Sequence, residues 1–217
     1  YSSQGAEVSV FCDYLEKVNP DYVLLSTHGR SGWARTFLGS FAESVLMSTK
    51  VPTFVLGPEC TEVKSLNSAL MPVQLGDSNQ KFVEHFLDDH RLSFIEKLNL
   101  FHKISMVDIE EIAWAPTLYG LTDYRSEELV EKAFTTTDEY LKCFLDHPLS
   151  QKRISYSISK RLESVGQVIV EEGKNFDLTI MRSESGTLEA NVLGSITREV
   201  VRKATTPVIV YPVNFQS

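Results

Sequence analysis

Two short glycine-containing segments carry the residues best suited to chemistry, and that chemistry is anion binding. The segments are Gly29-Arg30-Ser31 and Gly39-Ser40-Phe41, and nine residues separate Gly29 from Gly39. A glycine allows backbone N–H groups to approach an anion without a Cβ in the way. A helix that begins at Ser40 would add unpaired N–H groups and a positive dipole end. The residues that we predict to face a phosphate are Gly29, Arg30, Ser31, Gly39, Ser40 and Phe41.

Ser40 also has a purely structural interpretation. Ser40 and Glu43 have the spacing of a capping box, which would stabilise the start of a helix by about 1 kcal/mol without any ligand. Capping does not require Gly29 at its distance from Gly39, so the spacing favours phosphate binding.

Composition and charge narrow the classes of partner. The 217 residues carry 21 basic and 29 acidic side chains, a net charge of -8, without a basic cluster. Nucleic-acid backbones and anionic membranes reward clustered Lys and Arg, so we predict neither as a partner. No apolar run approaches the roughly 20 residues that cross a bilayer. The three cysteines are odd in number and widely spaced, which is typical of a reducing compartment, and we predict a cytoplasmic protein.

An internal repeat organises the chain. Residues 21–27, 38–40 and 51–56 match residues 177–183, 193–195 and 206–211, and the step from Gly39 to Pro52 equals that from Gly194 to Pro207, 13 positions. Each copy reads as a helix, a buried strand, a glycine-containing loop, a second helix and a short strand. The predicted helices are 3–18 and 40–49 in the first copy and 163–176 and 195–204 in the second. A near-continuous apolar strand between helices indicates a parallel sheet that is covered on both faces.

The second copy extends further upstream than the first. The predicted elements there are a strand at 68–75, a helix at 78–90, a strand at 98–105, a helix at 126–145 and a strand at 153–159. We therefore divide the chain into the C-terminal part of a first domain (1–57), a linker (58–67) and a complete second domain (68–217). A two-strand remnant would leave its sheet edge bare, so we expect about 90 further residues to precede the first copy.

The glycine pattern resembles the ATP-binding signature of the universal stress protein family, G-x2-G-x9-G-[ST]. Here it reads Ser26-x2-Gly29-x9-Gly39-Ser40, so a serine replaces the first glycine. The resemblance implies an α/β fold in which an open, twisted, parallel five-stranded sheet of order 3-2-1-4-5 is flanked by helices, here in two tandem copies of which the first is incomplete. It also implies ATP as the ligand, with Mg²⁺ as an optional companion.

The second copy departs from that signature. Met181 or Arg182, and then Glu184 or Ser185, stand opposite the glycines, and a carboxylate at Glu184 would repel phosphate. Gln74 replaces the Asp with which the family usually holds the adenosine part of the nucleotide. Arg198 replaces the acidic residue of the capping box. We therefore expect the second copy to be degenerate and mainly structural.

The remaining polar clusters indicate no catalytic or metal site. His85 and His90 do not share a helix face, so we expect exposed helix residues there rather than metal ligands. The pair Asp88-Asp89 is most simply solvated charge, and no general base can be assigned beside the loop. We predict a binding protein and not an enzyme. The most activity that we expect is slow ATP hydrolysis.

Two functions from different classes follow. The first is a stress-response protein that binds ATP in its first domain, and the second is a dimerisation or regulatory scaffold that binds no nucleotide.

In the family, domains join edge to edge through their last strands, and an apolar edge strand favours such pairing. We predict that Thr53–Leu56 pairs antiparallel with Val208–Tyr211 around a pseudo-twofold axis, and we keep a homodimer as a further option.

Overall fold

The structure is a computed structural model that describes residues 3–26, 40–110, 127–145, 153–183 and 193–212. The helices are α1 (Ser3–Val18), α2 (Ser40–Ser48), α3 (Asp77–Asp88), α4 (Glu127–Lys142), α5 (Val165–Gly173) and α6 (Ser195–Lys203). The strands are β1 (Val23–Ser26), β2 (Thr53–Leu56), β3 (Ser68–Pro72), β4 (Lys97–Lys103), β5 (Arg153–Ser159), β6 (Leu178–Arg182) and β7 (Val208–Tyr211). A short 3₁₀ turn, His90–Leu92, follows α3, and residues 106–110 are helical.

All seven strands form one mixed sheet of order β1-β2-β7-β6-β3-β4-β5. Counted within residues 68–212, its five parallel strands have the predicted order 3-2-1-4-5. The single antiparallel junction is that between β2 and β7, where Thr53, Phe54 and Val55 lie opposite Val210, Ile209 and Val208. The predicted pairing of these two strands is confirmed. It joins all the strands into one sheet whose edges are β1 and β5.

The sequence repeat is also a repeat of strand register. Val23 lies opposite Thr53 in the first copy, and Thr179 lies opposite Val208 in the second. The four residues of β1 therefore correspond in order to Thr179–Arg182 of β6, and those of β2 correspond to β7. We use "equivalent" below for positions related in this way.

Helices cover the sheet on both faces, as the apolar strands require. Side chains from α3 and α4, among them Phe86 and Leu141, pack on one face. Side chains from α2, α5 and α6, among them Leu46 and Val200, pack on the other face. Each such side chain contributes about 1.5–3 kcal/mol when it is fully buried. The sheet is therefore held rigidly enough to position the loops at the carboxyl ends of its strands.

Most predicted element bounds hold within a few residues, and the bounds of α1 and β5 hold completely. One difference has a clear physical cause. The helix predicted at 78–90 ends at Asp88, because Asp89 takes an extended conformation with φ -74° and ψ 106° and its carboxylate accepts a bond from the Arg91 N–H. Among the residues that the structure describes, no helix is long and apolar enough to cross a membrane.

Candidate functional site

The predicted phosphate loop connects the carboxyl end of β1 to the start of α2. Gly29, Arg30, Ser31 and Gly39 lie outside the described residues, whereas Ser40 and Phe41 form the first turn of α2. Ser40 is exposed, and the half-buried Phe41 ring lies 5.8 Å from that of Phe11 on α1. Ligands of open α/β sheets generally bind beyond the carboxyl ends of strands, and the first turn of α2 follows the carboxyl end of β1 in the chain.

Glu43, on the same turn, binds a residue of the second copy. Its Oε1 accepts a bond from Arg198 Nε at 3.0 Å and a second bond from Arg198 Nη2. We predicted Arg198 only as the loss of a capping residue three positions after Ser195, and the structure places Gly194, which has no side chain, at the N-cap of α6. The sequence pattern did not show that the Arg198 guanidinium would cross to α2.

In the second copy, an arginine side chain at the end of the strand equivalent to β1 contacts α3. Arg182, at the end of β6, donates from Nη1 to Asn79 Oδ1 at 2.7 Å, and its guanidinium lies 4.9 Å from the centre of the Phe82 ring. Both partners belong to α3, which follows β3 at the switch point of the sheet. The residue of β1 equivalent to Arg182 is the small Ser26. The ends of the two equivalent strands, β1 and β6, therefore carry side chains that differ in volume and charge.

A histidine–aspartate contact at the end of β4 was not predicted. His102 is buried, with Nδ1 2.8 Å from the Val73 carbonyl oxygen and Nε2 3.3 Å from Asp108 Oδ1. The other carboxylate oxygen of Asp108 accepts a bond from the Ser105 N–H at 2.6 Å. Burial would raise the pKa of Asp108, but hydrogen bonds from His102 and Ser105 outweigh it and lower that pKa. The Ser105-x-x-Asp108 spacing of a capping box was the available signal, and the contact fixes the loop after β4 to the end of β3.

The expectation of solvated charge at Asp89 is wrong. Asp89 is only 8% exposed and accepts bonds from Arg91, at 2.6 Å from Nη2, and from the Tyr211 hydroxyl. Burial would raise the pKa of Asp89, but the bonds from Arg91 and Tyr211 prevail and lower it to about 2. Burial and the Asp89 carboxylate raise the pKa of Tyr211. His85 is half-buried rather than exposed, with its ring 6.3 Å from the Tyr211 ring, whereas His90 is exposed as predicted.

A cavity of about 250 Å³ lies at the C-terminal ends of two helices. It lies between the last turns of α1 and α2 and the Arg91 side chain, and the ion pair Glu16–Lys50, at 3.0 Å, is part of its wall. Helix C-termini present carbonyl oxygens, which disfavour an anion. The cavity is lined by none of the described residues of the predicted phosphate loop, Ser40 and Phe41. In the described ranges, no group of three or more His, Cys, Asp or Glu side chains has the arrangement of a metal site.

These features define a class of protein before they define a family. A mainly parallel sheet between two layers of helices is an open α/β fold, a class whose ligands generally bind at the switch point of the sheet. The sequence matches the universal stress protein family over residues 3–57 and 70–212. The match covers most of the chain, which therefore belongs to this family.

Solved structures agree on the fold. A protein of unknown function from Pseudomonas aeruginosa is 12% identical with a TM-score of 0.57, and the matched region covers 94% of this chain and 67% of that one. A universal stress protein from Archaeoglobus fulgidus is 17% identical with a TM-score of 0.54, over 94% of this chain and 64% of that one. This chain thus spans about two thirds of the length of each. At sequence identities this low, the similarity supports a common fold and no statement about function.

A second universal stress protein structure from Archaeoglobus fulgidus was solved in complex with dAMP. It is 16% identical with a TM-score of 0.42, over 69% of this chain and 98% of that one. Its nucleotide is a property of that protein. The search of curated proteins found no match.

Proposed function

We propose that this protein binds ATP through the loop between β1 and α2, in a first universal stress protein domain, and that its second domain is mainly structural. Family membership and the two strand ends support the proposal. In the first copy the small Ser26 precedes the Gly29…Gly39-Ser40 pattern, whereas the equivalent Arg182 of the second copy is bulky and charged and contacts α3. This difference between Ser26 and Arg182 is the observation on which the assignment to the first copy depends.

Each proposed ligand residue has a defined role. Gly29 and Gly39 let the backbone approach the phosphates, and Arg30 neutralises a phosphate oxygen. The N–H groups at the start of α2, around Ser40 and Phe41, complete the cradle. The Ser31 hydroxyl supplies a further donor. Binding of this kind requires no general base, and we propose a binding protein rather than an enzyme.

The strand end of the first copy is more exposed than its equivalent in the second copy. Tyr22 and Leu24 are 50% and 64% exposed, whereas the equivalent Leu178 and Ile180 of the second copy are completely buried. In the second copy β3 pairs with β6 and α3 covers that face, but β1 is a sheet edge.

Equilibrium titration with ATP, followed by calorimetry, tests the proposal with a matched pair of variants. Gly39→Val places a branched side chain at the phosphate cradle, and Gly194→Val makes the same change at the equivalent position of the second copy. Gly194 has φ -52° and ψ 139°, which any residue adopts, so this control should fold. We expect Gly39→Val to weaken ATP binding at least about tenfold, a loss of about 1.4 kcal/mol, and Gly194→Val to leave it unchanged. Equal effects of both variants would contradict the assignment to the first copy.

The scaffold function is the second candidate, and the continuous sheet across β2 and β7 favours it. A scaffold would show no saturable binding at millimolar ATP in the intact protein, while its two copies stay paired. ATP turnover that is lost in Gly39→Val would instead extend the proposal to slow hydrolysis. The same titration series therefore separates binding protein, scaffold and enzyme.

A further inference from the structure

The two copies meet around a local pseudo-twofold axis. Phe54 of β2 lies opposite Ile209 of β7, and these two positions are equivalent in the repeat. On either side of this central pair, Thr53 lies opposite Val210, which is the equivalent of Val55. Val55 in turn lies opposite Val208, which is the equivalent of Thr53. The axis therefore passes between Phe54 and Ile209, and equivalent positions near it must face one another.

The Glu43–Arg198 contact joins two equivalent positions. Glu43 is the fourth residue after Gly39, and Arg198 is the fourth residue after Gly194. Their side chains are 29% and 34% exposed, so they are half removed from solvent beside the axis. The same structural position thus carries a negative charge on α2 and a positive charge on α6.

Opposite charges at equivalent positions have a consequence for partner choice. If two identical copies paired through the same edge, two Glu43 carboxylates or two Arg198 guanidinium groups would meet at the axis and repel each other. Only the pairing of a first copy with a second copy brings opposite charges together. The apolar strands β2 and β7 provide attraction to any similar edge, but they do not discriminate between these pairings.

We propose that the Glu43–Arg198 pair determines which edges dock, so that the partner of the β2 edge is the α6–β7 edge of this chain and not the β2 edge of another copy. Complementary charge at such a contact gives specificity more than affinity. The pair acts across the copies, and the inference depends on the repeat geometry and not on ATP binding.

A double-mutant cycle measures this role. Glu43→Arg and Arg198→Glu each place like charges at the axis, whereas the double variant restores opposite charges in reversed order. We expect each single change to raise the unfolding equilibrium constant of the docked protein about tenfold, and the double variant to return within about threefold of the wild type. The control combines Glu43→Arg with Lys203→Glu, which has the same net charge but reverses a residue that pairs with Glu199 inside α6. The losses of stability caused by the two substitutions of this control should add. A charge-exchanged pair that recovers no more than this control would overturn the proposal.

A mixing experiment tests the choice of partner directly. The chain with Glu43→Arg carries arginine at both axis positions, and the chain with Arg198→Glu carries glutamate at both. Refolded together, they should form a mixed dimer with twice the mass of the chain in light scattering, since only mixed contacts join opposite charges. Each variant refolded alone should give less dimer than the mixture does. Equal dimer fractions in all three samples would show that the axis charges do not select the partner.

Discussion

At the scale of single residues, the buried carboxylate Asp89 connects α3 to the end of β7. Its partners Arg91 and Tyr211 satisfy both of its oxygens, and the Asp89 and Arg91 side chains are 4% and 18% exposed. A buried carboxylate without such partners would be strongly destabilising. The network therefore fixes the direction in which the chain leaves α3, close to the junction of the two copies.

Replacing Asp89 by Asn should destabilise the protein by about 2–3 kcal/mol, because it leaves the Arg91 guanidinium without its carboxylate. The loss should depend on pH. The pKa of Asp89 is lowered from 3.8 to about 2, so its contribution is complete above the unfolded pKa and disappears as the pH falls through the folded one. Urea unfolding at pH 7 and between pH 5 and pH 2 measures this.

The wild type should lose its advantage over the Asp89→Asn variant as the pH falls in that window. The comparison with the variant separates Asp89 from other carboxylates such as Asp108, whose effect is common to both proteins. An advantage that stays constant from pH 5 to pH 2 would contradict the role of the ionised carboxylate.

The sequence predicts the start of a helix better than the partners of buried polar residues. Glycines and caps act within a few residues of chain, so Ser40 is correctly predicted at the start of a helix. Asp89 and Arg198 have partners more than 100 positions away, Tyr211 and Glu43. Local patterns contain no information about such partners, so sequence reasoning interpreted one as solvated charge and the other as a loss.

At the scale of elements, packing across the junction of the copies is closest at Gly57, just after β2. A Cβ at this position would lie 2.2 Å from the Val201 carbonyl oxygen of α6. Gly166, inside α5, would have a Cβ equally close to another oxygen, but that oxygen belongs to the end of the Glu199 side chain. The two glycines thus face a fixed obstacle and a movable one.

Gly57→Ala should therefore destabilise the protein by about 1–3 kcal/mol, because the backbone of α6 must shift to admit a methyl group. Gly166→Ala should be neutral or stabilising by up to about 1 kcal/mol, since the Glu199 carboxylate can rotate away and alanine favours the helix. Urea unfolding of both variants gives the comparison. Similar losses in the two variants would show that α6 does not hold its carbonyl rigidly against Gly57.

Element types are predictable from this sequence partly because several of its helix and strand patterns occur twice in the chain. Strand β5 begins and ends where its alternating residues predict, and its place at the sheet edge agrees with the order 3-2-1-4-5 that the family resemblance implies. Helix ends are less well predicted. Helix α3 stops at Asp88 because of the Asp89–Arg91 bonds, and that stop signal depends on the fold.

At the scale of the whole molecule, the direction of backbone bonds shows which residues join the two copies. The Val23 N–H donates to the Pro52 carbonyl, so residue 52 points toward β1. Strand residues point alternately to the two sides, and the peptide groups of Thr53 and Val55 therefore point toward β7. By the same argument Thr179 donates to the Pro207 carbonyl, so the peptide groups of residues 207 and 209 point toward β6.

Val55→Pro should consequently separate the copies, because proline removes an N–H that the β2–β7 junction uses. Small-angle scattering should show a radius of gyration above the value of about 17 Å that a compact chain of this length has. Ile209→Pro is the matched control, since it removes a bond from β7 to β6 and leaves the donors between β2 and β7 intact. The control should lower the urea midpoint of the protein while its radius stays compact below the transition. Circular dichroism checks that helices persist in Val55→Pro, and an unchanged radius with intact helices would mean that side-chain packing of α2 and α6, rather than the strand ladder, holds the two copies together.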